Sequence, residues 1–249
     1  MLVEGNVHIT SASPALGREG TVSSVMSWFD RILAAATLLS FVAALYLAFV
    51  YAPTEATQGD VQRIFYFHVP IAWLAYLAFF VVFCGSVMYL WKRSERWDIL
   101  ARCSAELGVI FTTLVLITGS IWGRPTWGAW WAWDARMTTT LILWAVYVVY
   151  LMLRAYGADR ERGARYGAVL GIIGFADVPI VQMSITWWRT LHPGPVVSLE
   201  GRGSLPPEML LALMVSLLAF TLFYTFMLRQ RMQVEWLRSE LDAARETDE

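Results

Sequence analysis

Lysine is almost absent from this 249-residue chain: of its nineteen basic residues, only Lys92 is a lysine and the other eighteen are arginines. A Walker A loop needs a glycine directly before its lysine, and no glycine precedes Lys92. The sequence therefore predicts a protein without an ATPase motif, so any ATP that drives its work must be hydrolysed by a partner. The net charge of −1 gives no indication of nucleic-acid binding.

Cysteine and histidine are scarce as well. The two cysteines, Cys84 and Cys103, have neither C-x-x-C nor C-x-x-C-H spacing, which excludes thiol redox work and covalent cofactor attachment through such motifs. We expect both to be small apolar packing residues. Because the chain has only three histidines, any site that uses imidazole has few candidates.

Charged residues make up only 16% of the chain, whereas 57% are hydrophobic and the mean hydropathy is +0.52. This composition is typical of polytopic membrane proteins. Six windows reach the roughly 20 apolar residues that a helix needs to cross the hydrocarbon. The sequence therefore predicts an all-α protein with six transmembrane helices, at residues 30–51, 69–90, 105–122, 137–153, 166–188 and 208–228.

The predicted membrane domain, residues 28–228, lies between two tails. Residues 1–27 are rich in Ser, Gly and Thr and lack the continuous apolar core of a cleaved signal peptide, so we expect a mobile tail in which His8 is solvated.

The C-terminal tail, residues 229–249, carries two pairs of opposite charges. Arg231 and Glu235, like Arg238 and Asp242, stand four residues apart, which is the spacing of ion pairs on a helix. This pattern predicts a helix that extends the sixth span; the alternative is a plain solvated tail.

Basic residues are distributed unevenly between the two sides of the predicted bundle. Six spans put both termini on one side, and that side holds fourteen of the nineteen basic residues. Because cytoplasmic loops carry the excess of Lys and Arg, both termini are predicted to be cytoplasmic. The loops at residues 52–68, 122–134 and 189–207 would then face outward.

Five of the thirteen tryptophans fall within residues 122–134, here called the Trp segment, between the third and fourth predicted helices. An isolated tryptophan such as Trp28 or Trp91 is typical of an interface anchor. Five indoles around two glycines and a proline exceed what anchoring needs. They predict an outer loop that offers a flat apolar surface for a large planar aromatic ligand, or alternatively a docking surface for another membrane protein.

Two histidines are predicted on the same side as the Trp segment. His68 stands where the second span begins, with Pro70 suited to the first helical turn, and His192 stands just after the fifth span. The segment from His192 to Pro207 shows little helical pattern, and a long irregular segment in a compact protein is more often functional than not. Imidazole is the usual axial donor to haem iron, so the pair predicts a haem held between two histidines and covered by the indoles.

Charged residues beside the tryptophans suggest further roles. Arg124 and Arg136 could form bidentate pairs with the haem propionates. Asp134 could cap the fourth helix, or it could orient Arg136 or a histidine; the sequence leaves both open.

The fifth predicted span carries glycines at helical spacing. Gly163, Gly167, Gly171 and Gly174 share one helix face with Asp177, which predicts close packing against a neighbouring helix and a carboxylate that points into the bundle. An intramembrane carboxylate is a functional candidate, with a packing role as the alternative.

The residues from Trp122 through Trp130-Trp131-x-Trp133-Asp134 resemble the tryptophan-rich "WWD" signature of haem-handling membrane proteins, the superfamily of the CcmC, CcmF and CcsA families. The size, six spans and two flanking outer histidines are similar to the CcmC family of cytochrome c maturation. The resemblance extends from His68 through His192; larger relatives have more spans and additional histidines.

The resemblance implies a haem-binding and haem-transfer protein of the bacterial inner membrane, not an enzyme, which presents non-covalent haem b at the periplasmic face. The implied partners are a periplasmic haem chaperone (CcmE-like), a two-part ABC transporter (CcmA/CcmB-like) and a small single-span subunit (CcmD-like). The implied iron ligands and porphyrin-binding residues are His68 and His192, with Trp122, Trp127, Trp130, Trp131, Trp133 and Asp134.

Two other functions are weighed against this one. A membrane electron carrier of the cytochrome b type needs haems at two depths, whereas the sequence predicts one outer histidine pair and no histidine inside a span. A solute or proton transporter would rest on Asp177 and on Glu106, which we expect to be interfacial, and would need broken helices, which the sequence does not indicate.

Overall fold

The computed structural model describes residues 27–156, 159–194 and 205–248, and this part of the chain is helical with no β-strand. His8 and the rest of residues 1–26 lie outside the described residues, as does most of the segment between His192 and Pro207. The helices are α1 (Trp28–Tyr46), α2 (Phe65–Lys92), α3 (Glu95–Trp127), α4 (Ala135–Tyr156), α5 (Arg160–Phe175), α6 (Asp177–Trp187) and α7 (Pro207–Asp248). A π-helical turn, Leu47–Tyr51, continues α1, and a 3₁₀ turn, Asp60–Ile64, precedes α2.

Six segments of the described chain are long and apolar enough to cross a membrane, which confirms the predicted number. They are Trp28–Tyr51, Asp60–Lys92, Glu95–Trp127, Ala135–Tyr156, Arg160–Trp187 and Pro207–Arg245. Several helices are longer than the apolar windows in the sequence. A hydropathy window ends at polar residues, whereas the backbone hydrogen bonds of the helix continue through them. The longest extension is α7, which continues without a break from the sixth span to Asp248.

The end of α3 lies inside the stretch that the sequence predicted as an outer loop. Residues 122–127 are helical, and the helix stops at Gly128, whose φ of 77° lies in the left-handed region that glycine tolerates. The backbone N–H of Gly128 donates to the Arg124 carbonyl oxygen, which closes the last turn. The prediction of a loop from Trp122 was therefore wrong for the first half of the Trp segment.

The fifth span is divided into two helices, which corrects the expectation of an unbroken span. α5 ends at Phe175 and α6 begins at Asp177, with Ala176 between them. Pro179 explains the interruption, because it has no N–H to donate to the carbonyl of Phe175, four residues earlier.

The glycines of α5 allow close packing against α2 and α4, as predicted. A Cβ added at Gly167, Gly171 or Gly174 would lie within 2.8 Å of a side-chain atom of Arg154, Ser86 or Val146, respectively. Gly163 is the exception, since its nearest neighbour would be 4.0 Å away. Asp177 is the first residue of α6, after the glycines. One of its carboxylate oxygens is buried and has no hydrogen-bond partner among the described residues.

Phe79 of α2 and Tyr147 of α4 stack at the centre of the core, with ring centroids 3.8 Å apart. Both side chains are fully buried, as is Cys103, and Cys84 is half-buried; both cysteines are free, in keeping with a packing role.

A network of charges lies at the end of the bundle where α7 leaves the sixth span. Glu106 was expected to be merely interfacial, but its two carboxylate oxygens accept from Arg231 at 2.6 and 3.0 Å. Arg231 also pairs with Glu235, as the helical spacing predicted. Arg238 contacts Glu235 at 3.6 Å, where the sequence had predicted Asp242 as its partner.

Candidate functional site

His68 is the fourth residue of α2, and its side chain faces the bundle interior with only 8% of the residue exposed. The helix starts at Phe65, before the predicted edge of the span, so the expectation that no histidine lies inside a span was wrong. Gly119 of α3 makes room for the ring, because a Cβ there would lie 3.2 Å from the His68 Cε1 atom.

The hydrogen bonds of Thr118 indicate which nitrogen of His68 carries the proton. The His68 Nδ1 atom is 2.8 Å from the Thr118 Oγ1 atom, which also lies 2.7 Å from the Leu114 carbonyl oxygen. Because that carbonyl can only accept, the hydroxyl donates to it and accepts from His68 when Nδ1 carries the proton. The Nε2 atom of the neutral ring then keeps its lone pair.

The same ring nitrogen of His192 carries the proton, but its hydrogen-bond partner is a backbone carbonyl. It lies half-buried just after α6, and its Nδ1 atom is 3.0 Å from the Pro193 carbonyl oxygen. Because a carbonyl oxygen only accepts, Nδ1 carries the proton and the Nε2 lone pair is free. Burial, reinforced by the positive charge of Arg136, lowers the pKa of His192 to about 4, against the opposing effects of the Pro193 carbonyl and Asp134.

His68 and His192 lie at the same end of α3, since Trp122 accompanies one ring and Trp127 the other. Arg136 is near enough for its charge to act on both rings. The Trp122 ring meets the His68 ring edge-on, with ring centroids 5.7 Å apart. The ring centroids of Trp127 and His192 are 6.5 Å apart.

The sequence had predicted a single flat surface of tryptophans, but the remaining tryptophans do not complete one. Trp131 and Trp133 meet edge to face at 79°, with ring centroids 5.4 Å apart. Trp130 and Trp133 are 60% and 77% exposed. The buried indole nitrogen of Trp131 has no acceptor among the described residues, so its N–H is available to a ligand. Trp122, by contrast, donates to the side-chain oxygen of Gln58 at 2.8 Å.

The two arginines differ in their surroundings. Arg124 donates to the Gly128 carbonyl oxygen at 2.5 Å, so it contributes to the end of its own helix. Arg136, on the first turn of α4, acts electrostatically on both histidines and lies 3.5 Å from the Gln182 side-chain oxygen. Arg136 is therefore the cation that the fold places within the histidine site.

Asp134 caps α4, the first of the two roles that the sequence left open, and its other oxygen contacts residues of the segment after α6 rather than Arg136 or a histidine ring. One carboxylate oxygen accepts from the Met137 backbone N–H at 2.9 Å and caps α4. The other accepts from the Thr190 hydroxyl and from the Leu191 backbone N–H, at 2.5 and 3.3 Å. The carboxylate therefore joins the Trp segment to the residues just before His192.

Sequence reasoning missed Thr118, Gly119 and Thr190. Thr118 stands four residues before Trp122 on α3, and this spacing could have placed both on the face that meets His68. Thr190 stands two residues before His192, and its hydroxyl accepts from the His192 backbone N–H at 3.1 Å, the local pattern of a Ser/Thr turn.

The donor set fits an iron porphyrin better than a bare metal ion. The described residues hold no group of three or more His, Cys, Asp or Glu side chains that could bind a metal. Two neutral imidazoles instead suit a metal that brings four further donors of its own, and haem iron is such a metal. Indoles beside each histidine provide apolar cover for a macrocycle.

Comparison with known proteins gives a consistent result. The family model described as "CcmC: Heme exporter protein C" matches residues 14–247. The chain is 39% identical to "Heme exporter protein C" of Bradyrhizobium diazoefficiens, over 86% of this chain and 80% of that protein. It is 33% identical to "Heme exporter protein C" of Escherichia coli over 84% of each. A "Putative cytochrome c biosynthesis ccmC-like mitochondrial protein" of Marchantia polymorpha is 35% identical, over 64% of this chain and 67% of its own length.

Proposed function

The chain belongs to the heme exporter protein C family and handles haem in cytochrome c biogenesis as a multi-pass membrane protein, and from this membership we propose how it binds and delivers haem. It binds haem b non-covalently at the periplasmic face of a bacterial inner membrane, with His68 and His192 as the axial ligands. It then passes the haem to a periplasmic haem chaperone.

The observation that carries this proposal is the hydrogen bonding of the two histidines. Each Nδ1 atom lies within hydrogen-bond distance of an oxygen atom, that of the Thr118 hydroxyl or of the Pro193 carbonyl. We assign the proton to Nδ1 in both rings, which leaves the Nε2 lone pair of each for the iron. Such an outer hydrogen bond is the usual support of a metal-bound imidazole, because it sets the tautomer and orients the ring. Two supported imidazoles in one site favour a bis-histidine haem over two solvated side chains.

The other residues of the site bind and cover the macrocycle. Trp122 and Trp127, which accompany the two histidines, cover its apolar edges, and Trp131 adds further apolar cover. Arg136 pairs with a propionate, and Arg124 does so on the outer side of the Trp segment. The haem supplies the iron, and the protein contributes only binding and orientation.

The partners proposed are those that the family resemblance implies. This chain assembles with a two-part ABC transporter, which hydrolyses ATP, and with a small single-span subunit. Trp130 and Trp133 lie exposed at the rim of the site and offer the chaperone an apolar contact.

The visible absorption spectrum of the purified protein tests the proposal. We expect a low-spin bis-histidine spectrum, a high-spin or haem-poor protein for His68→Ala and His192→Ala, and loss of haem in the double variant. A low-spin spectrum that survives unchanged in the double variant would show that other residues ligate the iron. A protein that takes up electrons reversibly but never yields haem to an acceptor would favour an electron carrier instead.

A further inference from the structure

The carboxylate of Asp134 connects two segments that are far apart in the chain. One oxygen caps α4 through the Met137 N–H. The other receives the Thr190 hydroxyl and the Leu191 N–H from the segment that follows α6, 56 and 57 residues further along the chain.

The residues around His192 depend on this carboxylate for their backbone hydrogen bonds. The last helical bond of α6 runs from the Trp188 N–H to the Ser184 carbonyl oxygen. Beyond it, within the described residues, the Leu191 N–H donates to Asp134, and the His192 N–H donates to Thr190, whose own proton goes to Asp134. These bonds hold the backbone of residues 190–192 against the start of α4.

We propose that Asp134 and Thr190 form a latch that positions His192 as an iron ligand and couples it to the Trp segment. This inference rests on the proposed haem site. A metal ligand must be held to within about half an ångström, and His192 stands on an irregular segment rather than on a helix. A charged acceptor with three donors provides the rigidity that the local backbone does not.

The latch also joins His192 to an exposed part of the Trp segment, because Asp134 directly follows Trp133, whose side chain is 77% exposed.

Thr190→Val in the full-length membrane protein is the most direct test, because valine has the shape of threonine and leaves the cap of α4 intact. Thr186→Val is the matched control: its hydroxyl, four residues earlier, donates to the Met183 carbonyl of its own helix and bonds to no other described residue. Thr190→Ser restores the hydroxyl and should behave as the original protein does.

For Thr190→Val we expect a partial change from low-spin to high-spin haem, reversed by added imidazole, and roughly tenfold faster haem loss to an apo-globin. In the haem-free protein, we expect faster amide hydrogen exchange at residues 190–192. Asp134→Asn should give a similar loss, and the double variant should be no worse than the single variants, because both remove the same link.

Unchanged spectra and exchange rates in Thr190→Val, with loss of the low-spin spectrum in His192→Ala, would overturn the latch and leave the proposed haem site standing. If the original protein binds no haem, the proposed function fails. The exchange measurement on the haem-free protein then still decides whether Thr190 holds the segment.

Discussion

His192 lies outside the membrane spans, and the fold changes the pKa of its side chain. Burial and the nearby Arg136 guanidinium lower its pKa from 6.5 to about 4. The folded protein therefore holds the neutral ring, whereas the unfolded chain is protonated below pH 6.5. The free energy of unfolding is greatest above pH 6.5 and decreases as the pH falls towards 4. A neutral ring at physiological pH is also the form that can ligate iron.

We predict that histidine NMR of the haem-free protein shows His192 neutral at pH 6 and titrating near pH 4. The three histidines of the chain make assignment practical through single His→Gln variants. Arg136→Gln should raise the His192 pKa because it removes a positive charge, although less than exposure to water would. A midpoint near 6.5 in the original protein would place this imidazole in water and contradict the described site.

The helices α5 and α2 pack at Gly171, which the spacing of glycines predicted. A Cβ at this position would lie 2.8 Å from the Ser86 Oγ atom and 3.0 Å from a methyl carbon of Val82. The interface can accommodate that atom only if α5 moves outward or the neighbouring side chains shift.

We therefore predict that Gly171→Ala destabilises the protein by about 1–3 kcal/mol, the usual effect of overpacking. Gly163→Ala, on the same helix face but with no neighbour closer than 4.0 Å, should be neutral or stabilising because alanine favours the helix. Thermal unfolding in detergent compares the two. Equal melting temperatures would mean that α5 does not contact α2 this closely.

The bundle as a whole exposes apolar side chains outward and pairs charges at one end. Leu38 and Leu39 of α1 are 66% and 70% exposed, a surface suited to lipid rather than water. At the end of the bundle remote from the Trp segment, Arg154 pairs with Asp98 at 2.5 Å. The excess of basic residues on that side predicts that it faces the cytoplasm.

Labelling with a membrane-impermeant maleimide tests this orientation. In a variant without Cys84 and Cys103, Ala129→Cys in the Trp segment should react in right-side-out spheroplasts. Ser94→Cys, exposed between α2 and α3, should react only in inverted vesicles. The reverse pattern would place the haem site in the cytoplasm and rule out delivery to a periplasmic chaperone.

Much of the site was predictable because its signals are local. The number of spans follows from runs of apolar residues, and the close packing of α5 follows from glycines four residues apart. The side chains of the WWD signature and the histidines at two span ends indicated haem before any tertiary contact was known. The end of α3 at Gly128 was missed, although glycine commonly terminates helices.

Only the tertiary structure decided how these residues act together. The protonation of His68 depends on Thr118, 50 residues away in the chain, and the Thr190 hydroxyl reaches Asp134 across 56 residues. Hydrogen bonds between such distant residues leave no periodic pattern in the sequence, because they depend on how helices pack rather than on what each helix contains. The sequence by itself determined that a six-helix membrane bundle forms and that it belongs to a haem-handling family; the packing determined which side chains meet the two histidines and hold them in place.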